Sequence, residues 1–240
     1  MATATALRAM SFPAQFHSTP VIGTQMISGV SEKTTAALRH ASLPLAYSAG
    51  DQLFTEGETA KGIFILRHGR VKLMANSSDG KTLILRIATP GAVLGLSSAV
   101  AAKANEVSAE VLEACQVSFI KRTDLLQLMK EHADLALQLA KELSLEYAGL
   151  CQELSNIGLQ RSAMSRLAKL LVSWIDGELA ASEPIEIECG LTHEVIAQLI
   201  ATSRETVTRL LHDLREKNIA VIKNNILTIN KLNALREMAV

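Results

Sequence analysis

The chain lacks several of the features that usually announce a function. Its 240 residues carry no net charge, 24 lysines and arginines against 24 aspartates and glutamates, so any contact with a polyanion has to come from a local patch. It has three cysteines, Cys115, Cys151 and Cys189, far apart and without CxxC spacing, which argues against a metal cluster and fits thiols in a reducing cytoplasm. No apolar run approaches the roughly 18 residues of a membrane span, so no membrane partner is expected. Phosphate-binding loops, metal-ligand clusters and nucleophiles with a recognisable local signature are also missing, and an enzyme is not expected.

What the chain does have is apolar content, 48%, and enough length for two compact domains. Residues 1–30, low in acidic groups, read as a flexible N-terminal extension. Ser31 to Arg39 fits a short helix. From about Leu45 come brief apolar runs, GIFILRHGRVKLMA, TLILRIATPGAVLGL, AEVLEA and CQVSFI, separated by turn signals at Gly50, Gly57, Gly69, Gly80 and Pro90-Gly91. Short strands at this spacing predict an antiparallel roll within residues 31–122.

The period turns helical at Thr123. Leu143, Tyr147, Leu150, Leu154 and Ile157 recur at alternating steps of four and three, a coiled-coil seam that Leu135 and Leu139 extend. A long helix over 123–160 carrying this seam predicts a homodimer; the alternative is packing against its own β-domain, and one helix is able to do both. A second helix is expected over Ser162 to Leu179.

The segment Leu191 to Leu211, LTHEVIAQLIATSRETVTRLL, has the spacing of a helix-turn-helix. Ile196, Ala197, Ile200, Val207 and Leu210 supply the small and branched residues that two closely crossing helices need. Thr192 and Ser203 are placed to cap the two helices through their hydroxyls. The second helix then exposes Arg204, Glu205, Thr208 and Arg209 near its start. Guanidinium forks match the O6 and N7 acceptors of guanine, and a carboxylate accepts from the amino group of cytosine, so double-stranded DNA is the expected partner. Downstream, IAVIKNNILTI alternates around Asn224-Asn225, a hairpin that makes residues 161–240 a winged helix, with Lys223 at the tip of the wing near phosphate.

A glycine-punctuated β-roll, a long helix and a winged helix carrying SRETVTRLL together resemble the Crp/Fnr family of bacterial transcription regulators, from roughly Leu45 to the C-terminus. The resemblance implies an α+β chain: an N-terminal cyclic-nucleotide-binding-like β-roll, a long dimerisation helix and a C-terminal winged helix-turn-helix. It also implies a cytoplasmic homodimer that binds a palindrome and acts on RNA polymerase. In members with the S-R-E-T-V-x-R motif, the two arginines and the glutamate read a TGTGA-type half-site, which transfers to Arg204, Glu205 and Arg209. The motif's serine and threonine contact phosphate, which transfers to Ser203 and Thr206, and Thr192 and His193 sit where the first helix crosses the backbone.

The effector pocket departs from the family's cyclic-nucleotide pattern. Binders of cyclic AMP carry F-G-E-[LI], whose glutamate holds the ribose, and R-[ST]-A, whose arginine pairs with the cyclic phosphate. Here the segments read LGLSS and EVSA, with Leu96 at the glutamate position and Val107 at the arginine position. A phosphate buried without its cation costs several kcal/mol, so cyclic AMP is not expected in that mode. What is left is Gly95, Ser97, Ser98 and Ser108 with their backbone amides, facing the long helix near Lys141, Leu150 and Cys151. Relatives responsive to 2-oxoglutarate use backbone amides and a helix cation there, a place Lys141 matches, but their β-roll arginine has no counterpart. No cofactor is assigned, and the effector stays unidentified. Haem sensing through His68 and thiol sensing through Cys151 are weaker readings. The competing function is a metabolite or redox sensor module acting through protein partners.

Overall fold

The computed structural model describes residues 29–159, 162–175 and 184–239. The expected N-terminal extension lies outside these residues, apart from its last two. Helix α1 (Glu32–Ala41) starts where Ser31 accepts the Thr34 backbone N–H at 3.2 Å. It runs directly into the roll: β1 (Ser42–Tyr47), β2 (Gln52–Phe54), β3 (Gly62–Asn76), β4 (Thr82–Ala88), β5 (Val93–Leu94), the short helix α2 (Leu96–Ala101) and β6 (Ser108–Lys121). All pairings are antiparallel, in the order β1-β6-β3-β4, with β2 on β6 and β5 on β3. AEVLEA and CQVSFI, two runs in the sequence, join into one strand, β6.

Alternation along β3 divides the core. Phe64 and Leu66 point into the roll with Val71, Leu73, Leu94, Val111 and Val117. Ile63 and Ile65 face the other way, into a layer shared with Leu38, Leu125, Leu128, Leu135 and Leu139 from the helices. Gly69 allows β3 to bend over β6. Its φ is +84°, and a Cβ there would lie 2.4 Å from the Ala114 carbonyl oxygen, so no side chain fits.

The helical region is interrupted, unlike the continuous helix that the pattern from Thr123 predicts. Helix α3 (Arg122–Glu131) ends at His132, which is extended at φ −129° and ψ 93°, and α4 (Ala133–Leu159) starts again beyond it. The carboxylate of Asp134 explains the restart. It accepts the Ser31 backbone N–H at 2.7 Å, the Thr34 hydroxyl at 2.9 Å and the Leu135 N–H at 3.0 Å, fastening α4 to α1. Leu135 and Leu139, fully buried, pack against the chain's own roll instead of extending an outer seam, and Leu143 packs partly on the same layer. Tyr147, 71% exposed, and Leu150, 39% exposed, stand on the open side. Leu154 and Ile157 continue along α4, but their side chains lie outside the described set.

The C-terminal domain consists of α5 (Ala163–Ser173), β7 (Ile185–Glu188), α6 (His193–Leu199), α7 (Arg204–Glu216), β8 (Ala220–Lys223), β9 (Ile226–Ile229) and α8 (Leu232–Met238). α5 is shorter than expected, and residues 176–179 of the anticipated helix fall outside the described set. The three strands form an antiparallel sheet in the order β7-β9-β8. Asn224 and Asn225 close its hairpin, both at positive φ (51° and 64°), the geometry asparagine tolerates best after glycine. This domain does not stand apart. α6 lies against β4, and Met74, Ile84 and Ile87 of the roll belong to the same apolar cluster as Leu167, Trp174, Ile196 and Leu227. Arg70 of β3, buried between the domains, pairs with Glu113 and donates to the carbonyls of Cys189 at 3.5 Å and Gly190 at 3.4 Å.

Candidate nucleic-acid interface and effector region

Two caps and a small residue set the angle between α6 and α7. Thr192 accepts the Val195 N–H at 3.2 Å, and Ser203 accepts the Thr206 N–H at 3.2 Å. Ile196, Ala197 and Val207, all buried, fill the crossing. Ala201 turns the chain at φ +51°, and Arg166 of α5 donates through Nε to the Ile200 carbonyl at 2.7 Å, holding the turn from behind.

With Val207, Leu210, Leu211 and Leu214 facing inward, the opposite side of α7 presents Arg204, Glu205, Thr208, Arg209 and His212 around one shallow hollow. Among the described residues neither Arg204 nor Arg209 forms an ion pair. The Glu205 carboxyl is held below the ordinary carboxylate range by its own backbone N–H, then by the Ser203 hydroxyl and the Arg204 charge, so it acts as an acceptor at neutral pH. His193 Nδ1 lies 2.9 Å from the Thr208 hydroxyl, which donates its one proton to the Arg204 carbonyl at 3.0 Å. Nδ1–H must therefore be the donor in the His193 pair. The imidazole links the first helix to the second and keeps Nε2 for an outside partner. Thr192 is exposed at the start of α6, Thr206 is half-exposed in the first turn of α7, and Lys223 is exposed where β8 meets the wing turn.

The effector segment is filled from within. Gly95 precedes α2 at φ +77°, and Leu96 is buried in the layer between roll and helices. The hydroxyls of Ser97 and Ser98 both donate to the Glu106 carboxylate, the former at 3.2 Å. Ser108 accepts the Glu56 backbone N–H at 3.0 Å, and Val107 packs into the roll interior. A carboxylate thus engages the serines of this segment, and Val107 brings no cation to it. Lys141 is exposed on α4, and Cys151 is exposed beside Tyr147. Sequence reasoning missed Glu106, Arg70 and a cluster of Arg86, Glu142 and Glu146. Of these, only Arg86 left a local signal, as the one charge in TLILRIA.

Comparison with known proteins matches residues 44–132 to the cyclic nucleotide-binding domain and residues 165–238 to the Crp-like helix-turn-helix domain. This chain belongs to the Crp/Fnr family of bacterial transcription regulators. Among Crp/Fnr relatives it is 29% identical over 191 residues to the global nitrogen regulator of Synechocystis sp., covering 77% of this chain and 83% of the relative. It is 25% identical over 175 residues to the cAMP-activated global transcriptional regulator CRP of Salmonella typhimurium, covering 72% of this chain and 82% of that protein. The fold matches that of a CooA mutant from Carboxydothermus hydrogenoformans with a TM-score of 0.75 at 23% identity, over 94% of this chain and 99% of that one. Crp/Fnr proteins are regulators and not an enzyme class, and no described helix here is long and apolar enough to cross a membrane.

Proposed function

We propose that the protein is a homodimeric, sequence-specific DNA-binding regulator that reads a palindromic TGTGA-type site in the cytoplasm and acts on RNA polymerase. The observation that carries this reading is the face of α7, where two guanidiniums with no ion-pair partner among the described residues share one open surface with an ionised carboxylate. Arg204, Glu205 and Arg209 read base edges. Thr192, His193, Ser203, Thr206 and Lys223 meet the backbone and position the helix without adding sequence information. Tyr147 and Leu150 form the described part of the dimer seam, continued by Leu154 and Ile157, with Leu143 bridging between seam and roll. Two recognition helices then sit roughly 34 Å apart, one turn of DNA.

Cyclic AMP is not the effector in the usual mode. Leu96 and Val107 provide no hydrogen-bonding side chain, and Glu106 engages the hydroxyls of Ser97 and Ser98. The test is fluorescence anisotropy on a duplex carrying TGTGA and its inverted repeat, against a scrambled duplex, across salt concentrations and with or without cyclic AMP. Preference for the palindrome that cyclic AMP leaves unchanged is the expected result. Equal, steeply salt-dependent binding to both duplexes would refute sequence-specific reading of this site.

A further inference from the structure

The inward face of α4 changes character along its length. Leu135 and Leu139 are buried against the roll, and then Glu142 and Glu146 take their place on the same face. Glu142 is only 5% exposed. Facing these carboxylates is Arg86 of β4, whose Nη2 donates to Glu146 Oε1 at 3.0 Å. Among the described residues, that pairing leaves Glu142 Oε2 and Arg86 Nε buried without hydrogen-bond partners. One guanidinium faces two carboxylates, so one negative charge is in excess, and it falls on the more buried acid. An ionised carboxylate buried without a partner is costly, whereas a single proton on it neutralises the cluster.

We propose that Glu142 is a proton-binding site that latches α4 onto the β-roll: the protonated Arg86–Glu146–Glu142 cluster is neutral and docks the helix, and the deprotonated one carries buried charge and loosens it. The charged groups facing Glu142 are Arg86 from β4 and Glu146 one turn along α4. Burial pushes the Glu142 carboxyl up from 4.5 to about 7, with Arg86 lowering it and Glu146 raising it. The docked form therefore holds a proton that the undocked form has lost between these values, and docking weakens as pH rises toward 7. With those end points, the ratio of docked to undocked helix falls about tenfold from pH 6 to pH 8.

The test uses the full chain and does not involve DNA, so it stands or falls separately from the duplex assay. Carboxyl carbons are titrated by NMR in the wild type, Glu142→Gln and Glu146→Gln, and exchange protection of the α4 amides is followed over the same pH range after correction for intrinsic rates. Glu142 should titrate near neutrality. Protection should fall with rising pH in the wild type and stay level in Glu142→Gln, which mimics the protonated acid. In Glu146→Gln the freed Arg86 pairs with Glu142, and its titration should drop by about 1 to 3 pH units. A Glu142 that titrates in the ordinary carboxylate range, or a Glu142→Gln helix as pH-sensitive as the wild type, overturns the proposal; the direct titration settles the matter even if a variant folds poorly.

Discussion

Single atoms decide what the recognition helix is able to read. A bidentate arginine contributes about 1–3 kcal/mol of discrimination between the right and wrong base, because the wrong base leaves the buried donors unpaired. Arg209 has no competing carboxylate partner among the described residues, so its fork is free for such a contact. Arg209→Ala is expected to lose roughly 5- to 150-fold in affinity for the palindrome while scrambled DNA changes far less, measured by competition binding at fixed salt. His193 is different in kind. Its bond to Thr208 positions one helix against the other, so replacing it weakens binding to every sequence alike.

At the scale of elements, the caps were the easiest part of the fold to read. Thr192 and Ser203 each stand one residue before a helix, because a short side-chain oxygen can satisfy an orphan N–H only from that place. The wing was legible for a similar reason, since Asn224-Asn225 between alternating runs leaves the backbone few alternatives. The break at His132 was not, because it depends on Asp134 finding Ser31 and Thr34 about a hundred residues earlier. The direction of Leu135 and Leu139 was ambiguous in principle, as one heptad pattern serves equally well for a partner helix or for the chain's own sheet. The Arg86–Glu146 pair joins residues 60 positions apart, and no local pattern announces such a contact.

The Asp134 junction has a measurable signature. The Ser31 N–H, the Thr34 hydroxyl and the Leu135 N–H hold its carboxyl down to about 2, from 3.8. A depressed acid contributes stability that is present above its unfolded value and is lost as pH falls through the folded one. The wild type is therefore expected to lose urea resistance between pH 4 and pH 2 by an amount that Asp134→Asn has already forfeited at pH 7. Identical acid profiles for the two proteins would show that the junction carries no such linkage.

For the whole molecule, the proposed dimer rests on the exposed part of α4. Tyr147 and Leu150 leave apolar surface on a helix whose other side is already buried, and in the proposed dimer a second copy covers it. Leu150→Glu puts a charge into that seam. Sedimentation should show a shift from dimer to monomer, and losing simultaneous engagement of two half-sites should lower affinity for the palindrome by about 10²- to 10⁴-fold. An unchanged dimer would move the interface elsewhere.

Arg70 and the shared cluster of Met74, Ile84 and Ile87 with the C-terminal core imply a further property of the intact chain. A regulator built as two modules on a hinge would melt in two steps, each with its own enthalpy. Here the apolar core of the DNA-binding domain is continuous with the outer face of the roll, so that domain has no complete interior by itself, and the roll loses the cover over Met74, Ile84 and Ile87 without it. Calorimetry should record one endotherm whose van't Hoff and measured enthalpies agree, and the isolated C-terminal fragment, left with an open apolar face, should aggregate on heating.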